Sequence, residues 1–156
     1  MTTNEKLAEV LNDLVQINND RITGYEKAAK EAENIDIDLK AIFNKMADES
    51  RKYKSELSNE ITRLGATPST DTTNMGKIYR VWMDVKATFT GNDRNAILSS
   101  CEYGEDAAQT AYKDALASDA EIDADTRQLI TSQQESLKTS HDLIKKYRDA
   151  NKAVTA

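Results

Sequence analysis

The chain predicts an all-α protein, a four-helix bundle of two antiparallel hairpins joined by a long crossover. Three observations carry this. Apolar residues recur at steps of three and four through four long stretches. Five Gly and one Pro are too few for the many turns of a β-sandwich or barrel. At 156 residues the chain is long enough for one core and short for two, so 1–156 reads as a single domain.

The first stretch runs from Asn4 to Glu33. Leu7, Leu11, Leu14, Val15, Ile22, Tyr25, Ala28 and Ala32 mark one helical face, with Thr3 or Asn4 as cap. Such a helix is roughly 45 Å long. Asn18 and Arg21 interrupt its apolar stripe near the middle. The second stretch, Asp36 to Leu64, carries Leu39, Ile42, Phe43, Met46, Tyr53, Leu57 and Ile61. Asp36 is placed to cap it, and Gly65 followed by Pro68 to stop it. The gap at Asn34-Ile35 is short, so residues 4–64 form an antiparallel hairpin.

Residues 65–92 read as the crossover. Gly65 to Thr73 is a loop by composition. Met75 to Phe89, with Trp82 and an end at Gly91, is a short amphipathic helix expected to pack across the bundle. The third stretch, Asp93 to Ser118, presents Ile97, Leu98, Cys101, Ala108, Tyr112 and Ala115, capped by Asn92 or Asp93. The fourth, Asp123 to Asn151, presents Ile130, Leu137, His141 and Ile144, capped by Asp123 or Asp125, with a frayed tail beyond. Together they make the second hairpin, 93–151.

The two hairpins look like copies. A shift of 87 residues lays Tyr25 on Tyr112, Leu11 on Leu98, Leu14 on Cys101, Phe43 on Ile130 and Leu57 on Ile144. It also lays the hinge Ile35-Asp36-Ile37-Asp38 on Ile122-Asp123-Ala124-Asp125, which helical periodicity alone would not produce.

Composition narrows the function classes. A net charge of −6 disfavours nucleic acid as a partner. No apolar run approaches the roughly 18 residues of a membrane span, and the N-terminus lacks the pattern of a secretory signal. A single Cys excludes an internal disulfide and fits a cytoplasmic location. There is no G-x-S-x-G, phosphate-cradling Gly loop, C-x-x-C or H-E-x-x-H, so no catalytic or cofactor-binding residues are expected.

Several runs carry a resemblance. They are Leu11-Asn12-Asp13-Leu14, Asn18-Asn19-Asp20-Arg21-Ile22, Gly24-Tyr25-Glu26-Lys27-Ala28-Ala29, Trp82-Met83-Asp84-Val85-Lys86, Cys101-Glu102-Tyr103-Gly104-Glu105-Asp106-Ala107-Ala108 and His141-Asp142-Leu143-Ile144-Lys145. From about Leu7 to Asp149 the chain resembles the bacterial DUF2383 family of four-helix bundles in the ferritin-like superfamily. The resemblance implies the ferritin-like fold and, as among ferritin-like relatives, a link to stress.

Ferritin-like di-iron centres use a Glu on each of two helices and a Glu-x-x-His on each of the other two. By periodicity and by similarity to rubrerythrin-like chains, those slots fall on Asn18, Glu105, Ser50 with Tyr53, and Leu137 with Ser140. Only Glu105 keeps its ligand type, so the di-metal site reads as degenerate. A register error of one residue would bring Glu49 or His141 inward.

The centre is therefore expected to be a polar network of Asn18, Arg21, Tyr25, Ser50, Tyr53, Glu105 and Tyr112. Glu105 would pair with Arg21, or bond to Asn18 and a tyrosine. Glu102 is expected at the solvent edge, His141 in the core or at its boundary, Cys101 buried and inert, and Glu49 and Glu56 on a solvated face. The expected function is non-enzymatic: structural or protein-interaction, with an unidentified protein partner or self-association, no metal and no cofactor. The alternative is a metal-binding oxidoreductase or iron-handling protein, holding iron or manganese on Glu49, Glu102, Glu105 and His141. An exposed apolar strip near Trp82 would favour a partner-binding bundle.

Overall fold

The computed structural model describes residues 2–33, 37–70 and 94–155. Among the described residues there are four helices: α1 (Thr3–Ala32), α2 (Ile37–Arg63), α3 (Arg94–Ala117) and α4 (Ala124–Thr155). The expected crossover helix with Trp82, the cap at Asp36 and the caps at Asn92 or Asp93 lie outside the described residues.

The helix ends follow local chemistry and correct some expected boundaries. α1 begins one residue early because its cap is Thr2, not Thr3 or Asn4. The Thr2 hydroxyl accepts the Glu5 N–H at 3.1 Å, the reach of a cap three residues ahead of a Glu. α2 closes in a Schellman motif. Gly65, at φ +84°, donates to the Thr62 carbonyl at 3.0 Å, and Ala66 donates to the Ile61 carbonyl at 3.1 Å. Asp123 caps α4, its carboxylate accepting the Thr126 N–H at 3.2 Å. α4 runs to Thr155, past the expected end at Asn151, because no Gly or Pro follows to stop it.

The topology follows from which residues meet. Glu33 pairs with Lys40, and Glu26 with Arg51, so α1 and α2 are antiparallel. Lys6 meets Asp119 and Asn18 meets Tyr112, so α1 and α3 are antiparallel too. Tyr112 bonds Gln133, and Asp106 bonds His141, which sets α4 antiparallel to α3. α2 and α3 therefore run parallel, and the chain must traverse the bundle to connect them. This is the ferritin-like arrangement with one long crossover.

The start of that traverse is fixed on α1. The Asn12 amide donates to the Thr67 carbonyl at 3.1 Å and accepts the Ser69 N–H at 2.7 Å. Gln16 and Asn19 donate to Ser69, at 3.3 and 3.4 Å.

The core is continuous through all four helices. Tyr25, Tyr112, Phe43, Leu11, Leu14, Leu57, Leu98 and Leu137 are fully buried. The rings of Tyr25 and Phe43 lie 5.8 Å apart, tilted at 36°, within the range where aromatic pairs attract. Positions related by the 87-residue shift share burial: Leu11 with Leu98, Leu14 with Cys101, Phe43 with Ile130 and Leu57 with Ile144 are all fully inside. Among the described residues, no helix is long and apolar enough to cross a membrane.

Candidate functional site at the bundle centre

Polar side chains converge halfway along the bundle. Asn18, Arg21, Ser50 and Glu105 are all buried, at 3% exposure or less. Each occupies an inward position of its helix, where the 3.6-residue period would otherwise place an apolar group.

Arg21 is the hub. Its Nε donates to Glu105 Oε1 at 2.6 Å. One terminal nitrogen donates to the Ser50 hydroxyl at 2.8 Å and to the Met46 carbonyl at 3.1 Å. The guanidinium carbon lies 5.0 Å from the centroid of the Tyr25 ring, a cation–π distance. Tyr25 donates its hydroxyl to the same Glu105 oxygen at 2.5 Å. One side chain of α1 thus binds α2 and α3 at once.

A second string of bonds crosses all four helices. Asn18 donates to the Leu14 carbonyl at 2.8 Å and to the Tyr112 hydroxyl at 2.9 Å. Tyr112 donates to Gln133 at 2.6 Å. Gln133 donates to the Tyr53 carbonyl at 3.3 Å and to Glu56 at 3.2 Å. Tyr53 hydrogen-bonds Ser136 through its hydroxyl and also reaches Glu49 at 3.3 Å. Ser140 donates to Glu49 at 3.3 Å.

The internal repeat explains part of this pattern. The 87-residue shift relates Tyr25 to Tyr112 and Asn18 to Glu105. The contacts Tyr25–Glu105 and Asn18–Tyr112 are therefore the same contact, made twice across the pseudo-dyad. Arg21 breaks the symmetry, because its counterpart is Ala108. One guanidinium sits beside the axis, opposite a methyl group.

Burial sets the electrostatics. Desolvation works against the charge on Arg21, but the contact with Glu105 outweighs it and raises its pKa. Burial, and then the neighbouring Glu105 charge, hold the Tyr25 phenol and the Cys101 thiol well above their ordinary values. Burial likewise raises Tyr112. None of these groups changes its charge near neutral pH.

The donor set does not fit a di-metal centre. Among the expected slots, Asn18, Ser50, Tyr53, Leu137 and Ser140 supply no carboxylate or imidazole. The one carboxylate, Glu105, already receives Arg21 and Tyr25 on a single oxygen. Its other oxygen, Oε2, is buried and has no hydrogen-bond partner among the described residues, as is Asn18 Oδ1. Two unpaired oxygens cannot chelate two cations, and a resident guanidinium in contact repels them.

The remaining candidates are dispersed. Glu49 is not on a freely solvated face: it points to α4, where it meets Tyr53 and Ser140. Glu56 also faces α4, through Gln133. Glu102 is not simply at the solvent edge. Its side chain is 13% exposed and pairs with Arg148. His141 lies on the α3–α4 seam, away from the centre, between Asp106 and Asp142. Burial works against its protonation, but these two carboxylates raise its pKa above the usual 6.5. Sequence reading missed Gln133, Ser136 and Asp106. Gln133 was the accessible one, since it lies one turn before Leu137 on the inner stripe of α4.

Comparison with known proteins agrees with this fold. A solved structure of a Mycobacterium smegmatis Dps1 mutant superposes with a TM-score of 0.75 at 13% identity, covering 95% of this chain and 99% of that one. At that identity the likeness concerns the fold. No curated protein sequence matches the chain. The family model described as a domain of unknown function, DUF2383, matches residues 6–118. The chain belongs to the DUF2383 family and has a ferritin-like four-helix-bundle fold.

Proposed function

We propose that this protein is a non-enzymatic ferritin-like bundle that acts through its surface, as a structural or protein-interaction body. Its partner is another protein or a second copy of itself, in the cytoplasm. One observation carries the reading: the buried Arg21 guanidinium stands beside Glu105, Ser50 and the Met46 carbonyl. A fixed internal cation neutralises the central carboxylate and locks three helices together. It supplies neither an open coordination position nor a group that titrates near neutral pH.

The test is metal content and aerobic Fe(II) oxidation of chelator-free protein, run beside Glu105→Gln. Equal iron retention by both proteins, with no oxidation above buffer, is the expected result. Iron retained by the wild type and lost on Glu105→Gln would sink the reading. A second reading, a metal-handling protein, is favoured by a different cluster on the α3–α4 seam.

A further inference from the structure

On the α3–α4 seam, Glu102 and Asp106 stand one turn apart on α3, and His141 faces them from α4. One ligand atom from each of the three lies within 4.8 Å of the others. His141 Nε2 is 2.6 Å from Asp106. On the far side of the ring, Nδ1 is 3.1 Å from the Asp142 carboxylate. When a cation replaces the Nε2–Asp106 hydrogen bond, the carboxylate on Nδ1 keeps that nitrogen protonated, leaves the Nε2 lone pair for the metal, and fixes the ring's direction. Here that direction is toward the two acids.

We infer that Glu102, Asp106 and His141 form a mononuclear site for a divalent transition-metal cation, with Asp142 orienting the histidine. Two carboxylates and one imidazole suit Zn(II), Mn(II) or Fe(II), whereas Ca(II) and Mg(II) prefer all-oxygen shells. Metal–ligand bonds of about 2.0–2.2 Å require the Asp106–His141 pair to open by an ångström or so. Asp106 is free to do this: its side chain is 62% exposed, against 18% for His141. The exposed acid gives the cation a way in, and the sheltered imidazole and Glu102 form the floor.

The charges favour this assignment. Glu102, Asp106 and Asp142 place three carboxylates around the ring. Arg148 pairs with Glu102 but also with Asp149, at 2.9 Å, so it does not neutralise the group. An isolated exposed His–Asp pair would be worth little. A second acid within 4.8 Å of the Asp106–His141 pair, with a third carboxylate on Nδ1, distinguishes a ligand set from a surface pair. The site shares no ligand with the central network and does not rest on the reading of the centre.

Calorimetric titration of the metal-stripped protein with Zn(II), and separately Mn(II), tests it. One site per chain is expected. Asp106→Asn and His141→Ala should abolish it, Asp142→Asn should weaken it about 10- to 100-fold, and Glu105→Gln should leave it unchanged. Co(II) loading should give visible d–d bands without a thiolate charge-transfer band, because Cys101 is buried elsewhere. No binding, binding unchanged in Asp106→Asn and His141→Ala, or a thiolate band would overturn the assignment.

Discussion

Arg21 brings a full charge into a core where it is 3% exposed, and Glu105 answers it from 0% exposure. Removing one member of such a pair leaves the other charged and buried, at a cost of about 3–5 kcal/mol. Glu105→Leu is therefore expected to fold but to lose about that much stability in urea unfolding. Arg21→Met combined with Glu105→Leu should recover most of the loss, because apolar side chains of similar volume replace buried ion pairs well. A double variant as unstable as the single would show that the pair is not a unit. The Cys101 thiol, buried and held protonated, should react with a maleimide in urea and not in native buffer. Prompt reaction in native buffer would mean that α3 opens locally. The inward positions of Asn18, Arg21 and Glu105 were legible in the sequence, because each interrupts an apolar stripe with helical spacing. Their partners were not. Whether Glu105 met Arg21 or Asn18 depends on where α1 and α3 cross, and the local pattern of neither helix contains that. Asp106 was invisible for the same reason, since its contact is with another helix.

Among the elements, the end of α2 is the most locally determined. An added Cβ at Gly65 would meet nothing within 4 Å, so any cost of substitution there comes from the backbone. Gly65→Ala should destabilise by about 1–2 kcal/mol through the left-handed conformation alone. Thermal unfolding of that variant measures it, and an unchanged midpoint would refute it. The stop at Gly65 was readable in advance for this reason, being a property of six consecutive residues, 61–66. The clip between Asn12 and residues 67 and 69 was not, because it joins segments more than fifty positions apart. Asn12→Ala should leave the helices intact and release this strand of the crossover. Hydrogen exchange at the Ser69 amide should then accelerate markedly, and unchanged protection would show that Gln16 and Asn19 suffice.

For the whole molecule, the two hairpins meet unequally. α1 and α3 lie in close contact, while α2 and α4 touch at few points, through polar side chains such as Tyr53 with Ser136 and Glu49 with Ser140. The end of the bundle is tied by Lys6–Asp119 and Arg63–Asp123. The hydrogen bond from Lys6 lowers the pKa of Asp119, and that from Thr126 lowers Asp123. A depressed carboxylate stabilises the fold above its unfolded pKa, about 3.9, and loses that contribution as pH falls through the lower folded value. The stability gap between wild type and Asp123→Ala should thus be full at pH 6 and shrink below about pH 3.9. A gap independent of pH would show that the cap acts without its charge.

The helix directions have an electrostatic consequence. At the end marked by Thr2 lie the N-termini of α1 and α4 and the C-termini of α2 and α3. The opposite end holds the converse set. A helix carries about half a positive charge at its N-terminus and half a negative charge at its C-terminus. Over these four helices each end therefore sums to nearly zero, and together they form a backbone quadrupole where a parallel bundle would have an axial dipole. An external field or a charged surface finds no preferred pole in the backbone of these four helices. Any orientation that the four-helix body adopts against a charged partner is set by its side chains.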